Sequence, residues 1–201
     1  MKIKVLTSYK PGTWKEYAKR AVDSVLKNWP EDTTVAVYHE SQDADIFEHP
    51  RVQWVDVHQA QPELVKFKNK WKDDPVANGE IKEIPNGMRR PGPMPNKGSY
   101  QWNAVRFANK VFCVTHALNS SEDFDYVVWL DADTYTFRPM PKSFLQQMLP
   151  ENTMLTYLGR ENPDLNDGGR DPECGFVGYN MNHSEIKNFC KDWEEMYIKE
   201  T

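Results

Sequence analysis

The chain has 201 residues and an ordinary balance of charged and apolar side chains, which predicts one globular domain over residues 1–201. Its net charge of −5 argues against general nucleic-acid binding, because that function usually requires a basic face. The three cysteines lack paired spacing, so they indicate neither a disulfide framework nor a zinc cluster and favour a reducing compartment. No signal-peptide pattern or membrane-length apolar run is present, which predicts a cytoplasmic protein.

Strands and helices are predicted to alternate in the first sixty residues. The pattern predicts a strand over Ile3–Thr7 and an amphipathic helix from Thr13 to about Asn28, and Pro30 ends that helix. Two further strands are predicted over Thr34–Tyr38 and Val52–Val57. This alternation is typical of a parallel sheet built from βαβ units.

The middle of the chain combines an irregular stretch with a long helix. Residues 73–98 hold five prolines and four glycines, which predicts a loop that is either a surface insertion or a lid over a substrate. Lys97-Gly98-Ser99 is a possible N-cap for a helix over Tyr100–Leu118. The predicted buried side of that helix consists of Trp102, Val105, Phe107, Ala108, Val111, Phe112 and Thr115.

The last third is predicted to return to short strands and helices. The predicted elements are a strand over Val127–Leu130, a helix over Lys142–Met148, strands over Met154–Tyr157 and Cys174–Tyr179, a loop over Arg160–Arg170, and a helix over Glu185–Lys199. Phe189, Trp193, Met196 and Tyr197 are predicted to face inward from the last helix. The chain ends at Thr201 inside that helix without a stop signal, which indicates either a fragment or an unusually short natural protein.

Two aspartates follow the most apolar of these strands. Asp131 and Asp133 are spaced i, i+2, so on an extended strand both side chains would point to the same side. Carboxylate oxygens suit Mg²⁺ or Mn²⁺, and these ions often bridge to substrate phosphates. In parallel sheets ligands bind beyond the carboxyl ends of the strands. The pattern predicts a metal site for a phosphorylated ligand. The alternative is a solvated acidic turn at the strand end, which would have the same sequence.

The segment Phe124–Thr134, followed by Phe137-Arg-Pro-Met140, resembles the Asp-x-Asp signature of GT-A-fold glycosyltransferases. The resemblance implies a Rossmann-like α/β fold, with a mostly parallel central sheet between two helical layers. It also implies a nucleotide-diphosphate sugar as the donor, Mn²⁺ or Mg²⁺ as the cofactor, and a glycan or another hydroxyl compound as the acceptor. Asp131 and Asp133 would then hold the metal, and Asp131 would also contact the donor.

The resemblance also suggests further donor-binding residues. Thr7, Ser8 and Tyr9 match the end of the first strand, which touches the base and ribose in that family, although an ordinary strand-to-loop junction has the same composition. Arg106 and Lys110 are spaced i, i+4 and can project from one face of a helix that resembles the donor-side helix. Two cations there would offset charge on the departing diphosphate, and solvated helix charges are the alternative.

The segment Asp171-Pro-Glu173-Cys-Gly175 resembles the acceptor-side segment of the same family. A carboxylate there would act as general base in an inverting enzyme, and it would position substrate or stabilise positive charge in a retaining one. Glu173 and Asp171 are therefore the predicted catalytic residues, with a plain acidic loop as the alternative. Family members often supply a further metal ligand from a C-terminal segment, and no histidine in this chain has a metal-ligand spacing.

Other phosphate chemistries fit the sequence less well. Glycine-rich phosphate loops of the P-loop and dinucleotide-binding types are both missing. Tyr135 stands two residues after Asp133, where phosphatases of the haloacid dehalogenase type normally have Thr or Val. Sugar nucleotidyltransferases have a glycine-rich basic loop after the first strand, and Ser8-Tyr-Lys-Pro-Gly12 matches it poorly. The main prediction is a metal-dependent glycosyltransferase, and the alternative is a GT-A-like domain that binds nucleotide or a partner without turnover.

Overall fold

A computed structural model describes residues 1–40, 46–79, 103–121, 123–161 and 170–199, except for the side chains of Glu161, Arg170 and Asp171. Most of the predicted loop over residues 73–98 lies outside this part of the chain. The same is true of the possible N-cap at 97–99 and of most of the loop over 160–170.

A six-stranded sheet forms the centre of the molecule. Its strands are β1 (Ile3–Ser8), β2 (Thr34–His39), β3 (Val52–Asp56), β4 (Tyr126–Leu130), β5 (Leu155–Glu161) and β6 (Arg170–Asn180), in the order β3-β2-β1-β4-β6-β5. β1 pairs in parallel with both β2 and β4, and β2 pairs in parallel with β3. β6 runs antiparallel to its neighbours β4 and β5. The predicted α/β fold with a mostly parallel sheet is confirmed.

Helices cover both faces of this sheet. They are α1 (Lys19–Asn28), α2 (Val57–Ala60), α3 (Pro62–Trp71), α4 (Ala104–Asn119), α5 (Lys142–Met148) and α6 (Ile186–Lys199), and a π-helical turn over Trp14–Ala18 precedes α1. One apolar core joins the sheet to α2, α3, α4 and α6, through residues such as Leu64, Phe112 and Ile186. A second core on the other face joins it to α1 and α5, through residues such as Val22 and Leu145.

β4 lies at the centre of this three-layer arrangement, between β1 and β6. Val127 and Val128 are both fully buried, and they belong to the two different cores. A strand that is covered on both faces has an apolar residue at every position, which explains why β4 shows no alternation in the sequence. The four parallel strands β3, β2, β1 and β4 present their carboxyl ends along one edge of the sheet.

Two helix predictions were wrong in detail. α4 begins at Ala104 rather than Tyr100, because Asn103 has a left-handed backbone with φ of 56°, which a right-handed helix cannot contain. Phe107 and Met196 were predicted to be buried, but they are 49% and 65% exposed. Apolar periodicity identifies a helical face, but it does not reveal how wide a stripe the neighbouring elements cover.

α3 was missed, and β5 and β6 were predicted too short. α3 was not predicted, although Pro62 at its first turn and the spacing of Leu64, Phe67 and Trp71 are helix signals. β5 and β6 extend beyond their predicted ends and pair Arg160 with Asp171, after a register shift at Tyr157 and Leu158. The acidic segment around Glu173 therefore lies within a strand rather than ahead of one.

Candidate functional site

A pocket of about 1150 Å³ opens where the carboxyl ends of β2, β1 and β4 meet the beginning of β6. Its polar lining includes Ser8 from β1, Glu40 beyond β2, Asp131 and Asp133 beyond β4, and Arg106 with Lys110 from α4. β1 separates β2 from β4, so the two ends of this polar lining lie roughly 10 Å apart at the usual strand spacing. One extended ligand could contact both ends.

Asp131 is held in place by its own strand and by α4. Trp129 Nε1 donates a hydrogen bond to Asp131 Oδ1 at 2.6 Å, and Lys110 Nζ lies 3.5 Å from the same oxygen. The backbone N–H of Asp131 donates to the carbonyl oxygen of Gly175 on β6. The side chain of Asp131 is 43% exposed, so its carboxylate has a fixed position and still faces the pocket.

Asp133 lies in a turn rather than in an extended strand. β4 ends at Leu130, and the N–H of Thr134 donates to the carbonyl oxygen of Asp131, which closes a turn over residues 131–134. The buried side chain of Ala132 anchors this turn in the core that contains α1. The two carboxylates line the same pocket because of the turn, and the extended-strand geometry used to predict their common side was wrong.

Arg106 and Lys110 both line the pocket from one face of α4. Lys110 Nζ donates to the carbonyl oxygen of Cys174 and lies 5.0 Å above the ring of Trp129. It therefore connects α4 to β4 and β6. Arg106 is exposed at the mouth of the pocket, near the N-terminus of α4. Lys110 is therefore more deeply buried than Arg106.

Thr7, Ser8 and Tyr9, at the end of β1, were predicted to contact the nucleotide, and only two of them line the pocket. Ser8 and Tyr9 line the pocket, although Tyr9 is only 7% exposed. Tyr9 packs against Trp14 with ring centroids 5.2 Å apart, which fixes the direction of its ring. Thr7 is 2% exposed and lies outside the lining.

Glu173 lies beside the pocket and is bound on both carboxylate oxygens. The N–H of Gly175 donates to Oε1 at 3.1 Å, and Arg160 forms an ion pair with Oε2. Gly175 leaves room between two carboxylates, since a Cβ there would lie 3.2 Å from Glu173 Oε1 and 3.6 Å from Asp131 Oδ2. The backbone of Asp171 is part of β6, and its side chain is outside the described residues.

Glu40 and Lys68 are pocket residues that the sequence analysis missed. Lys68 Nζ donates to Glu40 Oε2 at 2.6 Å, and His58 Nε2 lies 3.6 Å from the same oxygen. A polar residue directly after β2 was the available signal for Glu40. Lys68 lies on α3, the helix that was not predicted.

Cys113 of α4 lies close to this pair and to Ser8. Burial raises the pKa of the Cys113 thiol far above its usual range, and the negative charge of Glu40 raises it further. Lys68 and a hydrogen bond with Ser8 act in the opposite direction on the same pKa. The thiol is therefore neutral at ordinary pH and belongs to the buried core next to the pocket. All three cysteines are free, as their spacing predicted.

Within the described residues, no group of three or more His, Cys, Asp or Glu side chains could hold a metal ion. Asp131 Oδ1 already accepts from Trp129 and faces Lys110, whereas Oδ2 is directed toward Gly175. Two pocket carboxylates fit the way proteins bind Mg²⁺, through one or two carboxylates with substrate phosphates and water completing the shell. No described helix is long and apolar enough to cross a membrane.

Comparison with solved structures identifies the fold. The whole chain superimposes on 74% of mouse xyloside xylosyltransferase 1, with a TM-score of 0.54 and 11% sequence identity. The chain has the GT-A fold. The similarity to galactosyltransferase LgtC, whose structure contains donor and acceptor sugar analogs, is lower. There, 98% of the chain superimposes on 65% of that protein, with a TM-score of 0.47 and 13% identity. No protein-family model and no curated protein matches the sequence.

Proposed function

We propose that residues 1–201 form the nucleotide-sugar-binding domain of a metal-dependent glycosyltransferase, which moves a sugar from a nucleotide donor to an acceptor hydroxyl. The observation that carries this proposal is the turn of Asp131 and Asp133 at the end of β4, facing a pocket that Arg106 and Lys110 also line. The GT-A fold supports it. An acidic pair beside two cations suits a ligand that combines a metal ion with a diphosphate.

Asp131 Oδ2 and the carboxylate of Asp133 are the groups that would hold Mn²⁺ or Mg²⁺, which when bound supplies Lewis-acid stabilisation of the leaving diphosphate. Lys110 holds Asp131 through Oδ1 and leaves the other oxygen for the metal. Because the described residues supply only two carboxylates at this point, we expect metal binding to depend strongly on the nucleotide.

Arg106 and Lys110 would bind the diphosphate directly. Their positive charges lie where negative charge increases as the bond to the sugar breaks, and fixed cations in a partly dry site stabilise that charge without reorganisation. Lys110 is half buried and bound to β6, so it acts as the fixed member of the pair. Exposed Arg106 would close on the phosphates from the mouth of the pocket.

Glu173 would serve the acceptor hydroxyl, either as a general base or by positioning it. Its ion pair with Arg160 holds the carboxylate in place, and Gly175 leaves the space beside it open. Asp171 is the second candidate for the same role. Ser8 and Tyr9 would form the nucleoside end of the pocket, with buried Thr7 supporting them from β1, and Glu40 with Lys68 would extend that end.

The alternative function is nucleotide or partner binding without transfer. The ion pairs that hold Asp131 and Glu173 would also suit a binding site that has lost turnover. The chain spans 65% of one glycosyltransferase and 74% of another, so the activity of a complete protein is itself part of the proposal.

A thermal-shift panel of nucleotide sugars, with and without Mn²⁺, tests the proposal. A ligand that binds only the folded chain raises its apparent stability by about 2.7 kcal/mol at a concentration of 100 times Kd. We expect at least one nucleoside diphosphate sugar to raise the Tm only when Mn²⁺ is present. Parallel measurement of donor hydrolysis and sugar transfer separates an enzyme from a binding domain. A panel without any metal-dependent shift would contradict the metal-dependent transferase function.

A further inference from the structure

The pocket has two parts that differ in character, an acidic lobe around Asp131 and Asp133 and a second lobe that is largely apolar. The walls of the second lobe come from α4, β5, β6 and α6, and they consist of Val105, Phe107, Val111, Leu155, Tyr157, Val177, Tyr179, Phe189, Trp193 and Tyr197. We call this the aromatic lobe. Lys110 and Trp129, which both contact Asp131, line the same pocket as the aromatic residues, so the two lobes form one continuous space. A volume of about 1150 Å³ exceeds the usual range of roughly 300–1,000 Å³ for one small ligand.

The aromatic lobe is built from side chains that already hold one another in place. Trp193 stacks on Tyr179 with ring centroids 6.4 Å apart, and Phe189 lies 5.3 Å from Trp193. Tyr197 packs on Phe67 at 5.2 Å, which fixes the far wall. Tyr179 is buried, whereas Phe189, Trp193 and Tyr197 are half buried and keep part of their surface toward the space. Preformed aromatic walls of this kind favour an apolar ligand group.

Asn109 adds a polar requirement to the pocket. Its Oδ1 is buried without a hydrogen-bond partner, and the residue lines the pocket from α4. A buried acceptor without a hydrogen bond is costly, so a small rotation of the Asn109 side chain toward a donor from a bound molecule would be favourable. A sugar hydroxyl is such a donor. Asn109 and Lys110 both belong to α4, and both line the pocket.

We propose that the aromatic lobe binds the apolar, aryl or alkyl, group of a glycoside acceptor, while Asn109 Oδ1 accepts a hydrogen bond from one of its sugar hydroxyls. This inference rests on the proposed transferase function and adds the chemical class of the acceptor. The donor occupies the acidic lobe, and the apolar part of the acceptor extends away from Asp131 between β6 and α6. Ligand binding in this lobe is therefore predicted to discriminate by the aglycone more than by the identity of the sugar.

Isothermal titration of matched glycosides tests this inference on the whole chain with UDP and Mn²⁺ present. The probes are phenyl and methyl β-glycosides of glucose, galactose and xylose. Burial of a phenyl ring removes apolar surface from water, so we expect the phenyl compound of at least one pair to bind about tenfold more tightly or better. Trp193→Leu and Asn109→Leu should each remove most of that preference. Met196→Ala on the same helix is the matched control, because Met196 lies outside the lining.

The outcomes separate this inference from the proposed function. If UDP binds but every phenyl glycoside binds only as tightly as its methyl counterpart, the aromatic-lobe assignment is overturned and the donor site stands. A phenyl preference without a Mn²⁺-dependent response to any nucleotide sugar of the thermal-shift panel would keep the lobe and contradict the transferase proposal. Concentration-dependent dimerisation that Trp193→Leu abolishes, with no glycoside bound, would assign the lobe to a second copy of the chain. Trp193→Phe provides the milder variant if Trp193→Leu fails to fold.

Discussion

At the residue scale, Asp133 is the clearest test of the metal site. Asp133→Ala should abolish Mn²⁺-dependent binding of UDP while the Tm of the ligand-free chain stays nearly unchanged, because the side chain is exposed in a turn. Asp131→Ala should weaken the same binding less completely. Calorimetry with and without Mn²⁺ measures the effect. Asp73→Ala is the matched control, since that side chain is 88% exposed and lies outside the pocket lining. Unaltered Mn²⁺-dependent binding in Asp133→Ala would contradict the metal assignment.

Arg106 tests which part of the nucleotide the α4 cations bind. Arg106→Ala should weaken UDP binding by roughly 1.5–3 kcal/mol, the range for hydrogen bonds to charged groups, and should leave uridine binding nearly unchanged. Affinities for both ligands by calorimetry measure the difference. Arg138→Ala removes an equally exposed arginine outside the pocket lining and should affect neither ligand. Equal losses for uridine and UDP would indicate a structural role for Arg106.

Glu173 tests the acceptor side. Glu173→Gln retains the shape of the side chain and removes its charge, so donor and metal affinity should persist while sugar transfer slows by a factor of roughly 100 to 10,000. Transfer assays paired with donor titrations measure this separation. Glu151→Gln, at an exposed position away from the pocket, is the control. Asp171→Asn and the double variant complete the series, and unchanged transfer in all three would exclude this segment from the reaction.

At the element scale, two glycines divide β6 into a site end and a core end. A Cβ at Gly178 would overlap Leu149 Cδ2 and lie 2.6 Å from Thr156 Oγ1, whereas a Cβ at Gly175 would meet only the carboxylates and Thr134 at 3.2 Å or more. Gly178→Ala should therefore lower the free energy of unfolding by about 1–3 kcal/mol. Gly175→Ala should change stability much less and reduce sugar transfer instead.

Urea unfolding of both glycine variants, together with donor titrations, checks this division of β6. We expect Gly178→Ala to bind the donor normally under conditions in which it remains folded. A larger stability loss in Gly175→Ala than in Gly178→Ala would show that the two ends of the strand have the opposite roles.

At the scale of the whole molecule, the two cores should contribute to stability independently. Ile3 belongs to the core with α1, and Ile186 belongs to the core with α4, and the sheet separates them. Ile3→Val and Ile186→Val should each lower the free energy of unfolding by about 0.5–1.5 kcal/mol. Their effects should add to within about 0.5 kcal/mol in the double variant, because the sites share no partner. Strong non-additivity by chemical denaturation would contradict independent cores.

Much of the fold and part of the candidate site could be predicted from the sequence, because their signals are local. The run from Tyr126 to Leu130 indicates a doubly covered strand by its uninterrupted apolar character, and Asp131 and Asp133 directly follow it. The i, i+4 spacing of Arg106 and Lys110 needs only the period of a helix. These features depend on residues a few positions apart.

Only the tertiary structure decided which distant residues meet. The turn that brings Asp133 to the pocket, the ion pair between Glu173 and Arg160, and the approach of Lys68 to Glu40 each depend on how strands and helices pack. The aromatic lobe joins residues of α4 to residues of α6 that lie some eighty positions later in the chain. Local sequence sets helical and strand periods, but contacts across the sheet depend on strand order and register, which no short segment contains.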